Sequence, residues 1–95
     1  MPPIDIYTTP YCPYCTAAKR LLAKKGAPFN EIDVSYDAAE RDRMIERAHG
    51  RMTVPQIFIG TTHVGGYDDL YELEETGGLD PLLNSGSAAN QGSAA

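Results

Sequence analysis

Two cysteines, Cys12 and Cys15, stand three positions apart and are the only thiols in a chain of 95 residues. Two chemistries use such a pair. Thiol–disulfide exchange needs one sulfur that ionises and attacks a disulfide, and a second sulfur nearby to displace the product. Metal binding needs the pair as half of a tetrahedral set, completed by two further Cys or His. The other half is hard to find, because His49 and His63 are the only histidines and no second cysteine pair exists. His49 is more simply a favourable charge at a helix end, and His63 a residue of an edge hairpin. Redox chemistry therefore leads, with a zinc-binding module as the alternative. A structural staple is disfavoured, because a bridge across two residues closes too short a loop to restrain the unfolded chain.

The reactivity of the pair depends on what positions it. Ile4-Asp5-Ile6-Tyr7 alternates apolar and polar residues and predicts a strand. Thr8-Thr9-Pro10-Tyr11 interrupts it, and a helix is predicted from about Pro13 to Lys25, with proline at its favoured first position. Cys12 then falls at a helix N-terminus, where unpaired backbone N–H groups and the positive dipole end stabilise a thiolate. Cys15 lies one turn in, deeper and less reactive. Cys12 is the expected nucleophile and Cys15 the resolving thiol.

The remaining pattern supplies a scaffold. Tyr14, Ala18, Leu21 and Leu22 form an apolar face on the first helix, Lys24 and Lys25 complement its dipole, and Gly26 stops it. Phe29 to Val34 reads as a second strand in which Phe29 is out of phase with Ile32 and Val34. Asp37 and Glu40 open a second helix, with Met44, Ile45 and Ala48 inward and Gly50 as its stop. Val54 to Ile59 is a third strand, and Gly60-Thr61-Thr62 turns the chain into a short fourth at His63-Val64. Asp68-Asp69 opens a helix through about Thr76, with Leu70 and Leu73 inward; Leu79 to Leu83 adds a last turn. The order β-α-β-α-β-β-α predicts an α/β domain with a mixed sheet. Its first two strands are parallel through a right-handed crossover, and its last two form an antiparallel hairpin. One domain over residues 1–83 is expected, followed by a flexible tail at 84–95 built of Ser, Ala, Gly, Asn and Gln.

Composition narrows the partners. Eight basic and thirteen acidic residues give a net charge of −5, which argues against nucleic-acid binding and gives no attraction to anionic lipid. No targeting signal is visible, and no run approaches the roughly 18 apolar residues of a membrane span. A cytoplasmic monomer is expected, since nothing marks a large exposed apolar face.

Several blocks resemble the glutaredoxins, in particular the small bacterial dithiol kind. They are Ile6-Tyr7-Thr8, Cys12-Pro13-Tyr14-Cys15, Thr53-Val54-Pro55-Gln56-Ile57-Phe58-Ile59, Gly65-Gly66-Tyr67-Asp68-Asp69-Leu70 and Gly77-Gly78-Leu79 with Pro81-Leu82-Leu83. The likeness runs from about Ile4 to Leu83. It implies a thioredoxin-like fold, a four-stranded mixed sheet flanked by three or more helices. It implies reduction of protein disulfides and glutathionylated proteins, with glutathione as co-substrate and no metal. It also implies a cis Val54–Pro55 bond beside the sulfurs, leaving the Val54 backbone open to pair with glutathione as an added strand. Gly66, Tyr67, Asp68 and Asp69 would meet the γ-glutamyl end, the helix N–H groups taking its carboxylate and an aspartate its ammonium. Gln56 would reach the glycyl carboxylate or else face solvent, Tyr14 would line the cleft, and Thr53 completes the set.

Two departures stand out. Many glutaredoxins carry Lys or Arg three residues before the nucleophile, where this chain has Thr9; Arg51 is the candidate substitute. Tyr67 stands where close relatives often have Cys. The rival from another class is an iron–sulfur carrier, a dimer bridging a cluster through Cys12 and glutathione. Pro13-Tyr14 disfavours it, since dedicated carriers usually continue their single cysteine with Gly-Phe-Ser.

Overall fold

The computed structural model describes residues 1–84. Its elements are β1 (Ile4–Thr8), α1 (Pro13–Lys24), β2 (Asn30–Asp33), α2 (Ala38–Arg47), β3 (Gln56–Ile59), β4 (Thr62–Gly65), α3 (Tyr67–Thr76) and α4 (Leu79–Asn84). Asn84 closes α4; the rest of the expected tail lies outside the described residues. No described helix is long and apolar enough to cross a membrane.

The four strands form one mixed sheet in the order β2-β1-β3-β4. β1 runs parallel to β2, with Tyr7 opposite Ile32, and antiparallel to β3, with Ile6 opposite Ile57. β3 and β4 form the antiparallel hairpin, with a register irregularity between Ile57 and Phe58.

Both faces of this sheet are covered, which corrects the simple alternation expected of β1. Ile4 and Ile6 pack with Ala18, Leu22, Ile57, Leu70 and Leu79 in one core. Tyr7 and Phe58 pack with Val34, Met44 and Ala48 in a second core on the opposite face. The double burial also resolves the phase of Phe29. That ring packs on the first core, just before β2 begins, while Ile32 and Val34 serve the second. An odd and an even position point to opposite faces, and here both faces have something to meet. Each large side chain so buried contributes roughly 1.5–3 kcal/mol.

The helix ends follow local chemistry. Asp37 accepts from the Glu40 N–H at 3.0 Å and caps α2. Gly77 takes the left-handed conformation after α3, and the Gly78 N–H returns to the Leu73 carbonyl at 2.8 Å. Lys25 does more than complement the α1 dipole. Its Nζ lies 2.9 Å from Glu74 and 2.8 Å from Asp80, tying the end of α1 to α3 and α4.

Candidate functional site: a thiol pair beside a cis-proline

The site is built where β1 ends and α1 begins. Tyr11 adopts φ +62°, a left-handed conformation that non-glycine residues rarely take, and it turns the chain into the helix. Cys12 follows in extended conformation as the N-cap, and Pro13 occupies the first turn, where its missing N–H costs nothing. The backbone N–H of Cys15 donates to Cys12 Sγ at 3.2 Å, so the sulfur holds the capping position that a Ser or Asp oxygen usually fills. Cys12 is partly exposed and Cys15 buried, and both are free thiols. Burial foremost, then a hydrogen bond to Cys12, pushes the Cys15 thiol up to about 12. One sulfur faces solvent at the start of a helix; the other keeps its proton.

From across the sheet comes the loop before β3. Val54–Pro55 is a cis peptide bond, and the Val54 carbonyl lies 3.9 Å from Cys12 Sγ. Next to it opens a cleft of about 160 Å³ lined by Tyr14, Thr53, Val54, Pro55, Gly66, Tyr67, Asp68 and Asp69, together with Arg51. The structure thus gathers eight of the expected residues around one opening. A larger cavity of about 720 Å³ lies between β4, α3 and α4, and neither sulfur nor the cis-proline lines it. Volume does not locate the chemistry; the thiols do.

Several expectations need correction. Tyr14 leaves the helix's apolar face and is 61% exposed at the cleft. Gln56 neither faces solvent nor lines the cleft. Its side chain is fully buried, its amide NH₂ donating to Thr53 Oγ1 at 3.2 Å and its carbonyl accepting from His63 Nε2–H at 2.7 Å. A polar strand residue survives there because both ends of its amide are paired. Burial, helped by the charges of Arg51 and His49, lowers the His63 imidazole, which suits the neutral donor in this bond. His63 also stacks on Phe58, with centroids 4.8 Å apart.

The α3 start is shifted too. Gly66 is the N-cap and Tyr67 the first helical residue, one position earlier than expected, and the Asp69 carboxylate accepts from the Gly66 N–H at 2.9 Å. Gly65, rather than Gly66, requires glycine. Its φ is +113°, and a Cβ there would collide with the Asp69 carboxylate and approach Arg51 Nη1 to 2.7 Å. Arg51 was missing from the expected ligand set. Its guanidinium reaches Asp69 Oδ2 at 3.3 Å, so this cation belongs to the α3 end of the cleft. Only its basic character next to Thr53-Val54-Pro55 hinted at that in the sequence. Among the described residues no group of three or more His, Cys, Asp or Glu is placed to hold a metal ion.

Comparison with known proteins decides the family. The glutaredoxin family model matches residues 4–64. The chain belongs to the glutaredoxin family. It is 56% identical over 80 residues to glutaredoxin 3 of Escherichia coli, covering 84% of this chain and 95% of that one. The solution structure of glutaredoxin from Brucella melitensis superposes with a TM-score of 0.80 at 58% identity, over 94% of this chain and 96% of that one. The crystal structure of a buckwheat glutaredoxin–glutathione complex superposes at 0.78 with 32% identity, over 86% and 76%. The thioredoxin-like fold is therefore the family's own. Membership makes the protein a thiol–disulfide oxidoreductase, in keeping with a capped, solvent-facing sulfur backed by a protonated one.

Proposed function

We propose that the protein reduces protein disulfides and glutathionylated mixed disulfides with glutathione as electron donor, Cys12 acting as nucleophile and Cys15 as resolving thiol. The observation that carries this reading is the 3.2 Å hydrogen bond from the Cys15 N–H to Cys12 Sγ at a helix start. As a thiolate, the sulfur gains a charge-assisted bond there along with the helix dipole.

Two routes follow. On a mixed disulfide, the Cys12 thiolate attacks the glutathione sulfur and forms a Cys12–glutathione disulfide. The protein thiolate leaves and takes up a proton. A second glutathione thiolate then attacks this disulfide, releasing glutathione disulfide and restoring Cys12. On a protein disulfide, Cys12 bonds one sulfur and Cys15 displaces it. Two glutathiones then reduce the resulting Cys12–Cys15 bridge. The elevated Cys15 thiol suits this order, because it holds its proton until Cys12 is engaged and surrenders it only for the second attack.

The cleft suits glutathione by charge and shape. Val54 precedes β3, so its backbone is outside the sheet pairing and can take the tripeptide as an added strand. The first N–H groups of α3 can donate to the γ-glutamyl carboxylate, and Asp68 or Asp69 can accept from its ammonium. Arg51, the one cation of the lining among the described residues, offsets the second carboxylate. Thr53, Pro55, Gly66, Tyr67 and Tyr14 shape the walls. Gln56 acts from behind, holding Thr53 in place. The buckwheat relative, solved as a glutathione complex, supports this assignment. The same reading places the protein, as a monomer, in the cytoplasm, where glutathione keeps thiols reduced.

The test is glutathione-coupled reduction of a small mixed disulfide. Cys12→Ser is expected to abolish turnover, and Cys15→Ser to retain deglutathionylation while losing dithiol reduction of protein disulfides. The opposite pattern would exchange the two roles. Wild-type turnover with a dithiol reductant but none with glutathione would remove glutathione from the scheme.

A further inference from the structure

The aromatic surface that begins at the walls of the glutathione cleft continues beyond it. Tyr14 and Tyr67 have ring centroids 6.5 Å apart, and Tyr67 and Tyr71 follow at 6.0 Å. Both spacings lie within the range of interacting aromatic pairs. Tyr67 and Tyr71 are one helical turn apart, so the series begins at the cleft rim and continues outward along α3. It stays open: Tyr14 is 61% exposed and Tyr71 48%. Together the two steps match roughly four residues of extended chain at about 3.3 Å each.

The charge beside these rings has one sign. α3 reads Tyr-Asp-Asp-Leu-Tyr-Glu-Leu-Glu-Glu-Thr, with no base. Asp69 is paired with Arg51 and Glu74 with Lys25. Asp68, Glu72 and Glu75 have no ion-pair partner among the described residues. Helix stability explains Asp68, an acid in the first turn, but not Glu72 and Glu75. Asp68 and Glu72 are like charges one turn apart, and Glu75 sits in the last turn against the helix dipole. The charge of Glu75, one turn along the helix, raises the Tyr71 phenol above its ordinary value.

We propose that this face of α3 docks the polypeptide flanking the target disulfide and favours segments with Lys or Arg within about four residues of the reacting cysteine. The methylene stem of such a residue would lie across Tyr67 and Tyr71. Its cation would face the ring electrons and the carboxylates of Glu72 and Glu75, which lie outside the glutathione cleft. A second copy of this chain is the poorer occupant, since both partners would carry the same acidic face and a net charge of −5.

This inference rests on the glutathione-dependent reading, and the experiment separates the two. Short peptides bearing a cysteine–glutathione disulfide, identical except for a nearby Arg, Ala or Glu, are reduced under glutathione coupling. The mixed disulfide of glutathione and 2-mercaptoethanol serves as the small substrate. For wild type, kcat/KM is expected to be roughly three- to tenfold higher for the Arg than for the Glu peptide. The ratio should shrink as salt rises. Tyr71→Ala and the double substitution Glu72→Gln with Glu75→Gln should bring it towards unity and leave the small substrate unchanged. Equal wild-type rates on the Arg and Glu peptides would overturn the docking surface, as would a preference that survives in both variants. Concentration-dependent dimerisation lost in Tyr71→Ala would give the face to a second copy and overturn it too. No turnover of the small substrate would instead bring down the glutathione reading, and this inference with it.

Discussion

The Arg51 guanidinium and the Asp69 carboxylate meet at 3.3 Å across the cleft, and Gly65 lies directly beneath them with no Cβ to hold them apart. The same carboxylate oxygen accepts from the Gly66 N–H at 2.9 Å. One acidic side chain therefore sets the start of α3 and the position of the cation in the cleft, and a backbone conformation open chiefly to glycine leaves room for it.

Gly65→Ala tests that arrangement. At φ +113° the new residue is strained by about 1–3 kcal/mol, and its Cβ would also push Asp69 from the helix start. Urea unfolding should show a loss of at least that size, and KM for glutathione should rise. Gly66→Ala is the control, because its Cβ would meet the Pro55 carbonyl at an ordinary 3.6 Å. If the two variants lose equal stability, the special demand on position 65 is refuted.

The two thiols should differ in chemistry across a wide pH range. Cys15, held at about 12, stays protonated where an exposed thiol ionises. A single alkyl adduct, on Cys12, is expected from iodoacetamide at pH 8, as read by mass spectrometry. The stability consequence has a definite sign. The unfolded chain releases the Cys15 proton near its ordinary 9.0 while the folded chain retains it. Stability of the reduced protein is therefore complete below pH 9 and declines as pH rises towards 12. Cys15→Ser should remove that component of the alkaline decline. Two adducts at pH 8 would contradict the assignment.

Thr9→Lys should accelerate the nucleophile. Position 9 precedes Cys12 by three residues, and Arg51, the other candidate cation, is engaged by Asp69. A lysine there adds an attraction of order 1 kcal/mol or more to a thiolate. Alkylation of Cys12 at mildly acidic pH should speed up by roughly three- to tenfold. An unchanged rate would show that the helix start already supplies all the stabilisation the sulfur can use.

Gln56→Leu separates a ligand contact from a supporting one. The leucine fills the space but leaves His63 Nε2 and Thr53 Oγ1 without their partner, at a cost of about 1–3 kcal/mol. Stability should fall and KM for glutathione should rise, with the alkylation rate of Cys12 unaltered. If KM alone changes and stability does not, Gln56 contacts the ligand directly.

The sequence by itself determined whatever depends on neighbours along the chain. Pro13 and the cysteine before it marked a helix start, Asp37 with Glu40 marked another, and Gly26 marked a helix end, because caps and left-handed stops are settled within a few residues. The Cys-x-x-Cys spacing at a strand–helix junction carried the redox chemistry for the same reason. Tertiary structure alone decided what depends on both sides of a surface being covered. Gln56 reads as an outward strand residue until α2 and the helices on the opposite face leave no outside, and its amide is then taken by His63 from the next strand. Phe29 looks out of register until two cores exist to receive alternate side chains. Arg51 and Asp69, eighteen positions apart, become a pair only because β3 and β4 carry the chain back to the loop where β3 began. Local hydrogen bonds and backbone angles are written residue by residue. Burial and pairing across the sheet arise only once distant segments share the same space.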